Sequence, residues 1–355
     1  MTMHSTLYKH VFTNALRRSS RPGSVGLTSV SRLFHDCTRL HQAKRSLDSK
    51  EHLDSSLHWT ADTPHLTNRR DETLHNAGPY PSNRAKQTFA AFDLTDRIYI
   101  VTGGARGIGI AMAEALAEAG GEVHCLDHQD APSEEFYKAA EQMDRAPGAG
   151  SLHYKTVDIT DRQSLDKTVG TISGKHKRLD GLVAAAGVVQ VAPAIDYEME
   201  NAKKLMDVNL LGMLSTADAC ASAMMKYKSR GSICLIASMS GMIANKGMLS
   251  SMYNSSKAGV IQLARNLSME WSRVQADGSG GIRVNSLSPG HVVTPMVMQT
   301  LKEAPGAREV WEAENMMGRL GEPSEFRGAA LFLLSNASSF MTGSNLIMDG
   351  GHTAW

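Results

Sequence analysis

The sequence predicts an α/β fold: a single doubly wound parallel sheet with helices on both faces, preceded by a disordered N-terminal extension. Three observations carry that prediction. Strand-like and helical patterns alternate from Phe92 to the C-terminus, as in a parallel sheet built with crossover helices. A glycine-rich turn links the first strand to the first helix at residues 103–109. Apolar residues make up 42% of the chain, enough for a large core, and no shift in composition marks a second folded domain.

Taken in order, Arg97-Ile98-Tyr99-Ile100-Val101 is a β-branched and aromatic run that ends in glycines. An Ala-rich helical stretch follows from Ile108 to Gly120, then the apolar run Val123–Leu126. Further strands are expected at His153–Val157, Gly181–Ala185, Ser232–Ile236, Ile282–Ser286 and Asn345–Met348. Helical periodicity lies between them, notably over 161–176, 198–227, 254–275 and 323–334. Residues 92–355 therefore read as one domain and 46–91 as a polar linker, with turn signals at Gly78-Pro79 and Pro81.

Charge is distributed unevenly. The net is +1, but residues 1–45 hold eight Lys or Arg against the single acid Asp36, so the remainder is mildly acidic. That balance gives no support to nucleic-acid binding, which needs clustered positive charge. Within the basic segment Leu7, Val11 and Ala15 recur every fourth residue, and Arg17-Arg18 close the stripe. A mitochondrial presequence has this pattern; a basic tail on a cytoplasmic protein is the alternative. No apolar run is long enough to insert into a membrane. Cys37, Cys125, Cys220 and Cys234 lack paired spacing and read as reduced core thiols. Eight of the fourteen histidines precede residue 80 at spacings that match no zinc pattern, and no metal is expected.

Three features point to chemistry. In Thr102-Gly103-Gly104-Ala105-Arg106-Gly107-Ile108-Gly109 the glycines let backbone amides approach a phosphate, with the following helix aiming its positive end at it. Alone, such a turn could be just a tight strand-to-helix connection. Asp127 ends the second strand, placed either to bind an adenosine ribose or as a solvated acid beside His128 and Asp130. Tyr253 and Lys257 sit one helical turn apart, so the ammonium can stabilise a phenolate, although many such pairs are only a solvated face.

Read in order, these pieces and others make residues 93–355 resemble the short-chain dehydrogenase/reductase family, whose domain is of the Rossmann type. The family's T-G-x-x-x-G-x-G motif matches 102–109, and its adenine-side acid matches Asp158. Its helix asparagine matches Asn209, its serine Ser238, and its Tyr-x-x-x-Lys pair Tyr253 and Lys257. The Pro289-Gly290 loop matches the nicotinamide contact, implying Val292 and Thr294, and the ending Met348-Asp349-Gly350-Gly351 also agrees. One departure is Ala184-Ala185-Ala186-Gly187, where the family has Asn-Asn-Ala-Gly; the resemblance implies a weaker bracing hydrogen-bond network there more than a threat to the chemistry.

The resemblance implies a cofactor site of Thr102, Gly103, Arg106, Gly107, Ile108, Gly109, Asp127, Asp158, Gly187, Tyr253, Lys257, Val292 and Thr294. Ser238, Tyr253, Lys257 and Asn209 are implied as catalytic, with Ser240 lining the substrate side beside Ser238 and Tyr253. Asn209 is expected to position a water for proton relay. NAD is favoured over NADP, because Asp127 repels a 2′-phosphate that Arg106 could attract. The segment Ser238–Asn245 and the tail Asp349–Trp355 resemble fungal D-arabinitol 2-dehydrogenases, mannitol 2-dehydrogenases and sorbose reductases. The expected activity is therefore interconversion of a secondary alcohol and a ketone, a polyol such as D-arabinitol first. Met239, Met242, Met248 and Met252 leave open a larger apolar ketone of fungal secondary metabolism. A non-catalytic dinucleotide sensor on the same fold is the rival of another class, and a homotetramer is implied by resemblance.

Overall fold

The computed structural model describes residues 90–303 and 306–355. Expectations for residues 1–45, and for the linker before residue 90, lie outside this range. Seven parallel strands form one sheet: β1 (Ile98–Thr102), β2 (Glu122–Asp127), β3 (Ser151–Thr156), β4 (Gly181–Ala184), β5 (Ser232–Ile236), β6 (Arg283–Pro289) and β7 (Asn345–Met348). Their spatial order is β3-β2-β1-β4-β5-β6-β7. Connections leave β1 toward β2 on one side and β4 toward β5 on the other. A crevice opens between these two strands at their C-terminal ends, where ligands of doubly wound sheets bind.

Two apolar layers cover the sheet. On one face lie α1 (Gly107–Glu118), α2 (Glu134–Arg145) and α9 (Arg327–Leu334), packing Ile110, Leu116, Phe136 and Leu333 against Tyr99 and Val101. On the other lie α3 (Arg162–His176), α5 (Met213–Lys226) and α6 (Ser251–Trp271), packing Leu165, Met224 and Val260 against Ile100 and Leu182. Strands buried on both faces read as continuous apolar runs, which is why 98–101 and 232–236 stood out. Among the described residues no helix is long and apolar enough to cross a membrane. Cys125, Cys220 and Cys234 are buried free thiols.

Local chemistry sets the boundaries. Helix α2, which the periodicity did not single out, begins where Ser133 Oγ accepts the Phe136 amide, with Glu134 and Glu135 in its first turn. Helix α3 begins where Asp161 accepts the amides of Gln163 and Ser164. The helix expected over 198–227 is three pieces: α4 (Met199–Met206), a π turn (Asp207–Gly212) and α5. Gly212 lies against Ile159 there, where a Cβ would come within 2.9 Å. The helix expected to reach 275 ends at Trp271, and Val274 instead bridges to Gly280. A short 3-10 turn, Pro323–Phe326, held by a Glu322–Glu325 capping box, precedes α9. Strand β6 runs on to Pro289, three residues past expectation, because β7 pairs along it up to Pro289 and Met348. Two further helices, α7 (Pro295–Glu303) and α8 (Ala307–Glu314), follow β6.

The turn after β1 leaves no space for side chains at two glycines. Gly103 has φ +67, and a Cβ there would come within 2.7 Å of the Ala186 amide nitrogen. A Cβ on Gly109 would sit 2.1 Å from the Gly103 carbonyl oxygen. Gly109→Ala should therefore destabilise the fold at or above the upper end of the roughly 1–3 kcal/mol usual for overpacking. Gly170→Ala is the control. It lies exposed inside α3 with nothing within 4 Å of the new Cβ, so helix propensity should raise stability by about 0.5–1 kcal/mol. Urea unfolding of both variants checks the pair.

Candidate active site

A cleft of about 370 Å³ opens at the C-terminal ends of β1, β2, β4 and β5. It brings together most of the residues singled out in the sequence: Gly103, Arg106, Gly107, Ile108, Gly109, Asp127, Asp158, Gly187, Ser238, Tyr253, Lys257, Val292 and Thr294 all line it. Thr102, Asn209 and Ser240 do not. Thr102 is buried at the end of β1, its carbonyl accepting the Ala185 amide, so it shapes the floor through its backbone. Ser240 is buried, and its amide donates to Ser238 Oγ at 3.1 Å, so it orients the serine and does not face the cleft. Thr160 and Val188 line the cleft although the sequence reading passed over them. Their only sequence signals are positions just past Asp158 and Gly187.

One end of the cleft suits an anion. Helix α1 starts at Gly107, with its N-terminal amides unpaired within the helix and its dipole directed outward. Asp127, at the tip of β2, is buried. One carboxylate oxygen accepts the Ala105 amide at 3.2 Å, and the other lies 3.0 Å from His128 Nδ1. The carboxylate is thus fixed by the glycine turn itself. Arg106 is exposed at the mouth of the same region.

The opposite end holds the reactive groups. Ser238 follows β5 in extended backbone, and Tyr253 and Lys257 come from the first turns of α6. Burial raises the Tyr253 pKa above its usual value of 10, while a hydrogen bond from the Ser238 hydroxyl draws it back. Burial pushes the Lys257 ammonium down to about 8. Its Nζ donates to the Ile236 carbonyl at 2.8 Å and stands 5.8 Å from the centre of the Tyr253 ring. A serine hydroxyl, a phenol and an ammonium in one cleft can bind a substrate oxygen and exchange its proton.

Asn209 sits in the π turn and is fully buried. Its Oδ1 accepts the Val188 amide at 2.8 Å, and its Nδ2 donates to the Val188 carbonyl at 2.9 Å and to Ser256 Oγ at 3.1 Å. Ser256 Oγ in turn donates to the Tyr253 carbonyl. The side chain is committed to this clamp, which ties the loop after β4 to α6. The alanines at 184–186 leave that loop to backbone bonds and to Asn209. His291, in the loop after β6, turns away from the cleft and stacks on Trp311 with ring centres 4.0 Å apart.

The geometry agrees with what the chain is similar to. The family described as enoyl-(acyl carrier protein) reductase matches residues 103–353. A short-chain dehydrogenase/reductase of Aspergillus versicolor, notP′, is 38% identical over 74% of this chain and 89% of its own. The ribulose-forming D-arabinitol 2-dehydrogenase of Scheffersomyces stipitis is 36% identical over 74% of this chain and 96% of its own. A short-chain type dehydrogenase/reductase structure from Mycobacterium marinum superposes with TM-score 0.67 at 33% identity, covering 75% of this chain and 98% of its own.

The buried ammonium generates a pH prediction. Lys257 binds its proton less tightly folded than unfolded, so between about pH 8 and 10.5 the unfolded chain carries more protons and stability rises with pH. One such proton contributes roughly 1.4 kcal/mol per pH unit. In Lys257→Met this contribution should vanish, so the variant's stability advantage over wild type should shrink from pH 8 to 10. Denaturant unfolding across that range measures it; parallel pH profiles would contradict a buried, titrating Lys257.

Proposed function

The chain belongs to the short-chain dehydrogenase/reductase family and is an NAD(P)-dependent alcohol dehydrogenase; on that premise we propose that it interconverts a polyol and its ketose, D-arabinitol first. The observation that carries the catalytic reading is the convergence of Ser238, Tyr253 and Lys257 in the cleft that also holds Asp127 and the start of α1. A dinucleotide fits this chain's groups. The turn at 103–109 would hold the pyrophosphate, Asp127 the adenosine ribose and Asp158 the adenine side. Gly187, Lys257, Val292 and Thr294 would hold the nicotinamide half. When bound, the dinucleotide takes up or gives the hydride at the carbinol carbon.

The protein handles the oxygen and its proton. In oxidation, Ser238 donates a hydrogen bond to the substrate oxygen while the Tyr253 phenolate accepts the hydroxyl proton; in reduction Tyr253 returns it. Burial alone works against the phenolate, so Lys257 supplies the positive charge that favours it. Asn209 acts as a positioning residue, because it holds the Val188 loop and, through Ser256, the backbone of Tyr253.

For the polyol, the support is the similarity to D-arabinitol 2-dehydrogenase together with polar groups beyond Ser238. A second cavity has Asn245, Ser250 and Asn254 in its wall beside Met248 and Leu249. The buried Nδ2 of Asn245 has no hydrogen-bond partner among the described residues. A hydroxyl-rich ligand needs such donors, since an unpaired buried hydroxyl costs about 1–3 kcal/mol. Met239 and Met242 pack in or against the core, which removes half of the methionine argument for an apolar ketone. The full set of catalytic groups argues against a non-catalytic sensor.

Preference for NAD rests on Asp127, whose carboxylate is buried in the cleft, whereas Arg106 is exposed at its mouth. A homotetramer is part of the proposal, supported by exposed Leu211, Leu214 and Met269 on the helical segments. Mitochondrial location rests on the composition of residues 1–45 alone, with the cytoplasm as the alternative.

Purified enzyme should oxidise D-arabinitol with NAD, with mannitol or sorbitol weaker. Tyr253→Phe should bind cofactor normally and turn over at least about a hundredfold more slowly. If no pentitol or hexitol supports reduction of either cofactor, the polyol reading gives way to an apolar ketone. A variant with most of its activity would exclude Tyr253 as the proton-transfer group.

The kcat/KM ratio should favour NAD over NADP, and Asp127→Ala should raise the KM for NAD and narrow that ratio. A wild-type preference for NADP would show that Arg106 dominates.

A further inference from the structure

Strand β2 carries a second polar group at the end opposite the cleft. Strands of a doubly wound sheet are covered on both faces and are expected to be apolar throughout. Val123 and Cys125 obey this on one face, but Glu122 and His124, which alternate with them, do not. His153 of β3 is the register partner of His124, and the two rings stack with centres 5.0 Å apart. Helix α3 ends above them with His176.

All three imidazoles converge on one oxygen. Glu122 Oε1 lies 3.1 Å from His124 Nε2, 3.1 Å from His176 Nε2 and 3.7 Å from His153 Nε2. The ligand atoms of Glu122, His124 and His176 lie within 4.8 Å of one another. Around a tetrahedral zinc ion with bonds of about 2.0–2.1 Å, neighbouring ligand atoms stand roughly 3.3 Å apart, within this range of distances. His176 Nε2 is buried, yet among the described residues it makes no hydrogen bond, even to the carboxylate beside it. A nitrogen aimed into a polar cluster without a hydrogen-bond partner is what a missing shared ligand would produce.

We propose that Glu122, His124 and His176 form a binding site for a divalent transition-metal ion of the zinc class, with His153 or water as the fourth ligand. Imidazole and carboxylate together suit zinc better than magnesium or calcium, which take oxygen ligands. Lys175 Nζ opposes a cation, at 3.7 Å from the same oxygen, but its side chain is exposed and can swing into solvent. The three ligands come from two elements far apart in sequence, which is why linear spacing did not show them. The ion would tie β2 to the end of α3.

Thermal unfolding of the chelator-treated full chain, with and without zinc, tests the site. Zinc at about a hundredfold its Kd should raise the Tm by roughly 5–10 °C, and magnesium should not. Glu122→Gln and His176→Ala should each abolish that shift. Stoichiometry is no criterion, because the histidines before residue 80 offer other zinc ligands; the Tm shift and its loss decide. Should Glu122→Gln fail to fold, His176→Ala at the helix end carries the test alone. Absence of a shift in wild type, or its survival in His176→Ala, would overturn the proposal and leave Glu122 as a hydrogen-bonding hub.

Discussion

The close contact between the turn after β1 and the loop after β4 governs everything at the cleft. Gly103 meets the backbone of Ala185 and Ala186, and Gly109 meets Gly103, with no room for a Cβ at either. That contact lets α1 begin directly against the sheet, so its amides face the cleft without side chains intervening. It also fixes where the loop after β4 leaves the sheet, and hence where Asn209 can seize Val188 on both its amide and its carbonyl. Through Ser256 the same clamp reaches the backbone of Tyr253. The two ends of the cleft are thus joined by close backbone packing at the glycines and by the side-chain bonds of Asn209 and Ser256.

The π turn around Asn209 belongs to this arrangement. A regular helix from 199 to 226 would place each carbonyl in an internal bond, whereas the widened turn shifts the register by one residue beside the cleft. It does so where Gly212 presses on Ile159, the residue after Asp158. The helix that supports the Val188 loop is therefore also in contact with the segment that carries Asp158.

Most of the fold was legible because its central strands are buried on both faces and its turns carry glycine. Ser232–Ile236, buried throughout, coincides with its apolar run, and so does the partly exposed edge strand Asn345–Met348. Helix α2 was not, since its amphipathic face has only Phe136, Ala139 and Met143 buried and its start depends on one serine. The π turn was illegible for a different reason: the apolar periodicity of 198–227 reads as one continuous helix, and the contact of Gly212 with Ile159 across the fold is absent from local pattern. At the site, motif spacing found the side chains that face the cleft. Spacing from Gly241 picked out Ser238 but did not show that the Ser240 amide turns onto its hydroxyl, which only the backbone of the tight turn reveals.

The Tyr253–Lys257 pair shows why a motif needs its surroundings. Spacing alone suggests an ammonium that holds a phenolate, yet burial presses both groups toward their neutral forms. A Lys257 held near 8 remains mostly charged at neutral pH, and a charge that is itself buried is less screened than one on a solvated helix. Its bond to the Ile236 carbonyl fixes the charge on the β5 side, next to Ser238. The burial at the sheet end that makes each charge costly alone also leaves a charge on either group less screened from the other.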